Sequence, residues 1–375
     1  YDVVVVEGAG SPAEINLKTN DIVNMGLAKM IDAPVLLAGD IDRGGVFAQI
    51  VGTIVLLEEE ERQRIKGTII NKFRGDKEIL RPGLDMLVER THVPVCGVVP
   101  YFYLDIDDED SLSERFAGKQ GNGPIDIAVI RFPRISNFTD LAAFECREEV
   151  SLRYISQSAD FGEPDLVILP GTKSTIADLL WMRQNGLEGK ILRHASTGGL
   201  VFGICGGYQM LGVEVRDPDG VEAGTGKCVR GMELLPARTV FEPEKHRTQI
   251  TGRFGMVQGT FSELSDIPFT GYEIHMGRTE YIGEQTELLH LDNGTTDGLQ
   301  CGNVYGCYIH GIFDQAEVVT AILKTILRRK GLDEDQVKSI DRKQYKEEQY
   351  NKLADIIREN LDMKMVYEII ERGGK

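Results

Sequence analysis

Cys205 lies in the run Val201-Phe202-Gly203-Ile204-Cys205-Gly206-Gly207-Tyr208-Gln209-Met210-Leu211, where an apolar strand pattern passes into a helix start across two glycines. A thiol in that setting can act as a nucleophile on a tight strand-to-helix elbow. The small neighbours Gly203 and Gly207 prevent clashes there. The N–H of Gly206 can donate to an oxyanion, and the helix N-terminus favours thiolate over thiol. Most free cysteines are buried structural thiols. The flanking glycines set Cys205 apart from Cys96, Cys146, Cys228, Cys301 and Cys307, which read as structural. A thiol nucleophile needs a base. Of the six histidines, His310 in Tyr308-Ile309-His310-Gly311 and His275 in Tyr272-Glu273-Ile274-His275-Met276-Gly277 both end apolar strand patterns. Spacing alone does not choose between them.

A second set of chemical groups stands at the ends of apolar runs near the start of the chain. Glu7 follows four valines and precedes Gly8-Ala9-Gly10. A carboxylate there can hold Mg²⁺, and the small-residue loop can face phosphate. Asp40 and Asp42 stand in Gly39-Asp40-Ile41-Asp42-Arg43-Gly44-Gly45. Either carboxylate can bind Mg²⁺, and Arg43 can grip a phosphate or a substrate carboxylate. Asn71 ends a third run, where its amide can read an adenine edge. Each motif taken singly also reads as an ordinary strand-to-helix turn. Their shared placement at the carboxyl ends of strands is where nucleotide sites form in parallel sheets.

The elements that must position these groups alternate. Residues 3–6, 34–37, 67–70 and 93–99 read as buried strands, with helical spacing over 22–30, 46–57 and 80–89. That order predicts an α/β fold with a parallel sheet. The Gly-rich polar stretch 117–124 reads as a linker. Beyond it the alternation restarts, with strands at 125–130, 166–169 and 200–204 and helices at 174–185 and 208–211. Residues 231–308 look β-rich, and the chain from about 314 is mostly helical. The expected domains are therefore 1–120, 124–330 and a helical tail, 331–375.

The chain has 375 residues and a net charge of −17. An acidic chain repels phosphate backbones, so nucleic acid is not an expected partner. Residues 58–61 and 105–110 hold the densest acidic runs, read as a solvated helix end and a solvated loop. No C-x-x-C pair, signal peptide or spanning apolar run occurs, so a reducing cytoplasm without membrane contact is the default expectation.

Four motifs in order carry a family resemblance: Leu169-Pro170-Gly171-Thr172-Lys173-Ser174-Thr175, the Cys205 elbow, and the His275 and His310 runs. Together they resemble the cobalamin-pathway branch of the triad glutamine amidotransferases. With Ile135-Ser136-Asn137-Phe138-Thr139-Asp140 and the three N-terminal motifs, the likeness extends over nearly the whole chain to the cobyric acid synthase type. The resemblance implies that His310 is the catalytic histidine and that Gly171 joins Gly206 in donating to the oxyanion. It implies glutamine, ATP and Mg²⁺, with Glu7 and Asp42 toward the metal. It also implies a corrinoid acceptor, adenosylcobyrinic a,c-diamide, amidated to adenosylcobyric acid. The alternatives are a sister enzyme acting on another carboxylate (a cobyrinic acid a,c-diamide synthase or a peptidoglycan-amidating glutaminase) and a non-enzymatic binding protein that keeps the fold. Related amidotransferases place a Glu two residues after the histidine. Ile312 stands there, so the group orienting His310 is open. The relatives on the ATP side carry a Gly-Lys-Ser/Thr phosphate loop before the first motif seen here. No such loop occurs in this sequence. The first domain is therefore expected to be an incomplete P-loop-like synthetase domain with weak ATP affinity.

Overall fold

The computed structural model describes residues 1–18, 21–104, 106, 123–283 and 286–373. The chain divides into two units, Tyr1–Ile106 with Lys346–Lys375, and Asp107–Tyr345. Most of the Gly-rich stretch 117–124, and all but Ile106 of the acidic run 105–110, lie outside the described residues.

In the first unit, α1 (Met25–Met30) leads to β1 (Val35–Asp40), α2 (Val46–Leu56), α3 (Glu59–Arg62), β2 (Ile65–Phe73), α4 (Lys77–Thr91) and β3 (Val95–Pro100). The strands form a parallel sheet in the order β1-β2-β3. Its core includes Ile50 and Ile54 from α2, Ile70 from β2, Leu87 from α4 and Val98 from β3. The three strands fall where the apolar runs predict them.

The run at residues 3–6 does not form the expected strand. Val3, Val4, Val5 and Val6 are exposed and pair with none of the three strands. A strand exists only through its ladder partners, so an apolar pattern without a partner edge stays irregular. The first helix also starts later than its spacing predicts. Asp21 accepts hydrogen bonds from the N–H groups of Val23, Asn24 and Gly26, and this folds 21–24 into a turn ahead of α1.

The second unit is built on an eleven-stranded mixed sheet. It comprises β4 (Ile125–Ile130), α5 (Ala142–Glu145), β5 (Val150–Ile155), β6 (Leu166–Leu169), α6 (Thr175–Gln184), α7 (Leu187–Ser196), β7 (Leu200–Ile204), α8 (Gly206–Leu211), β8 (Glu214–Asp217), β9 (Lys227–Arg230), β10 (Ala237–Phe254), β11 (Pro268–Tyr281), β12 (Thr286–Leu291), β13 (Thr296–Cys301), β14 (Val304–Cys307) and α9 (Ala316–Arg329). The strand order is β5-β4-β6-β7-β14-β13-β12-β10-β8-β9, with β11 on β10. From β5 through β14 the pairing is parallel; from β14 to β13, β12 and β10 it is antiparallel. Strands β6 and β7 are buried along their whole length, which is why they read as unbroken apolar runs rather than alternating ones.

Two helices close the chain, α10 (Arg342–Asn360) and α11 (Met363–Arg372). From Lys346 onward they belong to the first unit. Leu361 bridges Gly97 of β3, and the N–H of Asp362 donates to the Cys96 carbonyl at 2.7 Å. The expected tail is therefore divided between the units. No helix among the described residues is long and apolar enough to cross a membrane.

Candidate active site

Strand β7 delivers Cys205 to a sharp turn. Its backbone sits at φ +51°, ψ −110°, and α8 begins at the next residue. A non-glycine residue at positive φ stores strain of roughly 1–3 kcal/mol and persists only where its surroundings enforce it. The Cys205 N–H donates to the Cys307 carbonyl of β14 at 2.8 Å. A methyl group at Gly207 would lie 2.0 Å from the Leu169 carbonyl oxygen, and one at Gly203 would lie 2.8 Å from the Tyr208 nitrogen. Both contacts are with backbone, which cannot step aside. Gly207→Ala is therefore expected to destabilise the second unit by about 3 kcal/mol. Urea unfolding followed by circular dichroism checks this; a loss within about 0.5 kcal/mol would show that the elbow tolerates a side chain.

The turn is braced from below by Gln209, which is buried. Its Nε2 donates to the Met276 carbonyl at 3.3 Å and to Tyr308 Oη at 3.2 Å, and its Oε1 accepts from Thr175 Oγ1 at 2.9 Å. One side chain thus ties α8 to α6, β11 and the strand end that carries His310.

His310 is fully buried and locked on both sides. Its backbone exchanges hydrogen bonds with Tyr272 at 2.8 and 3.1 Å, and the Tyr272 ring stacks on the imidazole at 5.3 Å. Nδ1 lies 2.7 Å from Asp140 Oδ2, while Asp140 Oδ1 accepts the Gly311 N–H at 2.9 Å. A carboxylate only accepts, so Nδ1 carries a proton in either state of the ring and Nε2 is the nitrogen that gains or loses the second one. The Cys205 thiol donates to the Ile274 carbonyl at 3.7 Å. Burial works against the His310 imidazolium, but the bond to Asp140 and the nearby Cys205 outweigh it, and the ring is pushed up to about 10. The Asn137 amide lies 3.0 Å from Nε2. It can donate to a neutral ring or, turned over, accept from a protonated one.

Asp140 and Asn137 arrive on the segment that follows β4. Asn137 takes a left-handed conformation (φ +51°) and opens the short turn Phe138–Leu141. The same segment is stitched to the loop after β6: the Ser136 N–H donates to the Gly171 carbonyl at 2.9 Å, and Ile135 bridges Thr172. A methyl at Gly171 would lie 3.0 Å from His310 Cε1, and one at Gly206 would lie 3.3 Å from the Thr172 nitrogen. Gly171 and Gly206, the expected oxyanion donors, thus border the Cys205–His310 pair.

His275 has a different setting. Its Nδ1 lies 3.0 Å from the Gly277 carbonyl and its Nε2 lies 3.5 Å from Glu273. The ring stacks on Tyr308 at 3.8 Å and on His246 at 5.4 Å. Burial pushes its pKa down. Both ring nitrogens therefore face partners on β11 itself.

In the first unit, β1 and β2 pair Asp40 with Asn71 in register. Lys72 Nζ lies 2.9 Å from Asp40, and Arg74 Nε donates to Asp42 at 2.7 Å. The Arg74 guanidinium covers the Tyr101 ring at 3.3 Å. Lys72 holds the Asp40 carboxyl below its usual range, against partial burial and with help from the Asp42 N–H. Asn71 turns its Oδ1 onto the Lys72 N–H. Arg43 is exposed in the turn before α2. Glu7 lies on the exposed irregular segment, and no hydrogen bond or ion pair among the described residues joins it to Asp40 or Asp42. Lys72, Arg74 and Tyr101 were not singled out from the sequence, yet they supply the charge balance at these strand ends.

A thiol on a strained elbow beside a carboxylate-held imidazole, in a parallel sheet, is the arrangement of a thiol-dependent glutamine amidotransferase. Residues 126–318 match the CobB/CobQ-like glutamine amidotransferase domain family, and residues 1–104 match an AAA domain family. The chain is 57% identical to a cobyric acid synthase of Ruminiclostridium cellulolyticum, over 99% of this chain and 73% of that one. It is 54% identical to one of Lachnoclostridium phytofermentans, over 100% and 75% of the two chains. With one of Clostridium acetobutylicum the figures are 51%, 100% and 74%. The chain belongs to the cobyric acid synthase family of glutamine amidotransferases, enzymes that form carbon–nitrogen bonds in cobalamin biosynthesis.

Proposed function

We propose that Cys205 attacks the side-chain amide carbon of glutamine while His310 takes the thiol proton and returns it to the departing ammonia. The observation that carries this reading is the His310 ring, held by Asp140 at Nδ1 and close enough to Cys205 for the thiol to raise its pKa. Proton transfer by such a group contributes roughly 10²–10⁴-fold. The N–H groups of Gly171 and Gly206 stabilise the tetrahedral oxyanion. Water then hydrolyses the thioester to glutamate, with His310 as base, and frees Cys205. Asp140 is a positioning residue: it fixes the tautomer and the ring plane.

Asp40 and Asp42 would hold Mg²⁺ and Arg43 a nucleotide phosphate, once Lys72 and Arg74, now paired to the two carboxylates, are drawn to the phosphates. ATP·Mg²⁺ bound there would supply the activation of a carboxylate for attack by ammonia. Asn71 would face the base, and Glu7 is a further metal ligand on this reading. The acceptor is a corrinoid, adenosylcobyrinic a,c-diamide, converted to adenosylcobyric acid. Supplying the intact protein with amide-¹⁵N glutamine, ATP, Mg²⁺ and this corrinoid tests the acceptor. Label is expected in the corrinoid product by mass spectrometry; label appearing only in free ammonia would reject it.

The two histidines separate cleanly. His310→Ala is expected to lower glutaminase kcat by about 10³-fold or more. His275→Ala is expected to stay within about tenfold of wild type, since that ring packs against Tyr308 and bonds within β11. Steady-state glutaminase assays decide the matter. The reverse ranking would move the base to His275.

A further inference from the structure

Two short turns of the second unit meet around the imidazole of His310. One, Phe138–Leu141, carries Asp140; the other, Ile312–Asp314, follows His310 and Gly311. The bonds from Asp140 to His310 Nδ1 and to the Gly311 N–H tie them together. Phe144, just after the first turn, packs edge-on against Phe313 of the second at 5.0 Å. A third tie comes from a distant part of the chain. Arg342 opens α10, and its side chain is only 11% exposed. Its Nη1 forms an ion pair with Asp314 Oδ1, at the end of the second turn. Its Nη2 donates to the Thr139 carbonyl at 3.3 Å, in the first turn and one residue before Asp140. One guanidinium therefore holds both turns, each through a different nitrogen, which a planar fork allows and a single ammonium does not. The segment that delivers Arg342 is itself anchored. Val337 is buried in the core of the second unit, and the Lys338 carbonyl accepts from Nη1 of the buried Arg147.

We propose that Arg342 is a positioning residue for glutamine hydrolysis, setting the contact between Asp140 and His310 by holding their two turns together. It lies outside residues 126–318, the span that matches the amidotransferase domain family. The proposal rests on the reading of His310 as the base. The physical link is short. Asp314 donates its N–H to the Gly311 carbonyl at 2.9 Å, and Gly311 adjoins His310. Thr139 adjoins Asp140. A pull on Asp314 and on the Thr139 carbonyl is therefore a pull on both partners of the catalytic hydrogen bond. Such bonds weaken with distance and misalignment, and a displacement of about 1 Å at a catalytic group can cost on the order of 10²-fold. Releasing Arg342 leaves the Phe144–Phe313 contact and the Asp140 bonds in place, so the expected loss is partial. The sign of the pH response separates position from charge. Removing a cation favours the imidazolium and moves the alkaline limb of kcat up; loosening the Asp140 bond moves it down. The groups that face the ring itself, Asp140, Asn137, Cys205 and Tyr272, are the same in wild type and in Arg342 variants.

Steady-state glutaminase assays of the intact chain across pH test this. His310→Ala is measured first. Full activity there would overturn the base assignment, and the role of Arg342 with it; a loss there leaves Arg342 to be judged by its own variants. Arg342→Gln is expected to lower kcat about tenfold with KM within about threefold of wild type. Its alkaline limb of kcat is expected to move down by about half a pH unit. Arg342→Lys, which can keep the ion pair but not both contacts of the fork, is expected to fall between the two. In an Asp140→Asn background the Arg342→Gln change is expected to cost less than about twofold, because the bond it serves is already gone. If Arg342→Gln does not fold by circular dichroism, Asp314→Asn carries the same measurements, since it removes the same ion pair at a half-exposed carboxylate. A kcat within about twofold of wild type, an alkaline limb that stays or rises, or an undiminished cost in the Asp140→Asn background overturns the proposal.

Discussion

Cys205→Ala is expected to abolish glutamine-dependent activity, by on the order of 10⁴-fold or more, while amidation driven by free ammonia survives in the intact protein. The alanine removes Sγ and leaves the elbow otherwise unchanged. Its Cβ occupies the position the cysteine already fills, and the Cys205 N–H bond to the Cys307 carbonyl is made by backbone. No thioester can form without the thiol, so ammonia is no longer released. Added ammonia bypasses that step, because the acceptor carboxylate is activated elsewhere. Parallel assays with glutamine and with ammonium chloride read the difference. Equal loss of both activities in a folded variant would mean that the thiol serves the acceptor chemistry as well, against the separation of the two reactions.

The elbow was legible in the sequence because its constraint is local. A strained nucleophile turn needs small residues at fixed offsets, and Gly203, Gly206 and Gly207 mark it within five positions. The buried parallel strands were legible for a related reason: β6 and β7 bury both faces and so show continuous apolar runs. Two features escaped. The run at residues 3–6 has the composition of a strand, but pairing is a property of the sheet and no partner edge meets it. The acid that orients His310 also lay beyond reach. Asp140 is 170 residues away in sequence from His310 and comes close only because β4 and β14 belong to one sheet. The signal that could have found it was present in Ile135-Ser136-Asn137-Phe138-Thr139-Asp140, where polar residues alternate with apolar ones shortly after a predicted strand.

That placement gives the second large effect. Asp140→Asn is expected to lower glutaminase kcat by roughly 10²–10⁴-fold with a smaller change in KM. The carboxylate accepts two hydrogen bonds, from His310 Nδ1 and from the Gly311 N–H. An asparagine can satisfy the backbone N–H with its carbonyl, but its NH₂ then points at Nδ1. The ring must answer with the tautomer that carries its proton on Nε2, which cannot accept the thiol proton from Cys205. The charge matters as well. The bond to Asp140 is the largest of the influences that hold the His310 pKa up to about 10 against burial. Without it the imidazolium is lost at lower pH, so the alkaline limb of kcat, which reports the acid that protonates ammonia, moves down. Stability follows the same sign. A histidine whose folded pKa is raised contributes stability that is complete below its unfolded value of about 6.5 and disappears as pH rises through about 10. The gap in melting temperature between wild type and Asp140→Asn should therefore be widest near neutral pH or below and narrow toward pH 10. A gap that stays constant across that range, with kcat within about threefold of wild type, would reduce Asp140 to a backbone anchor for Gly311.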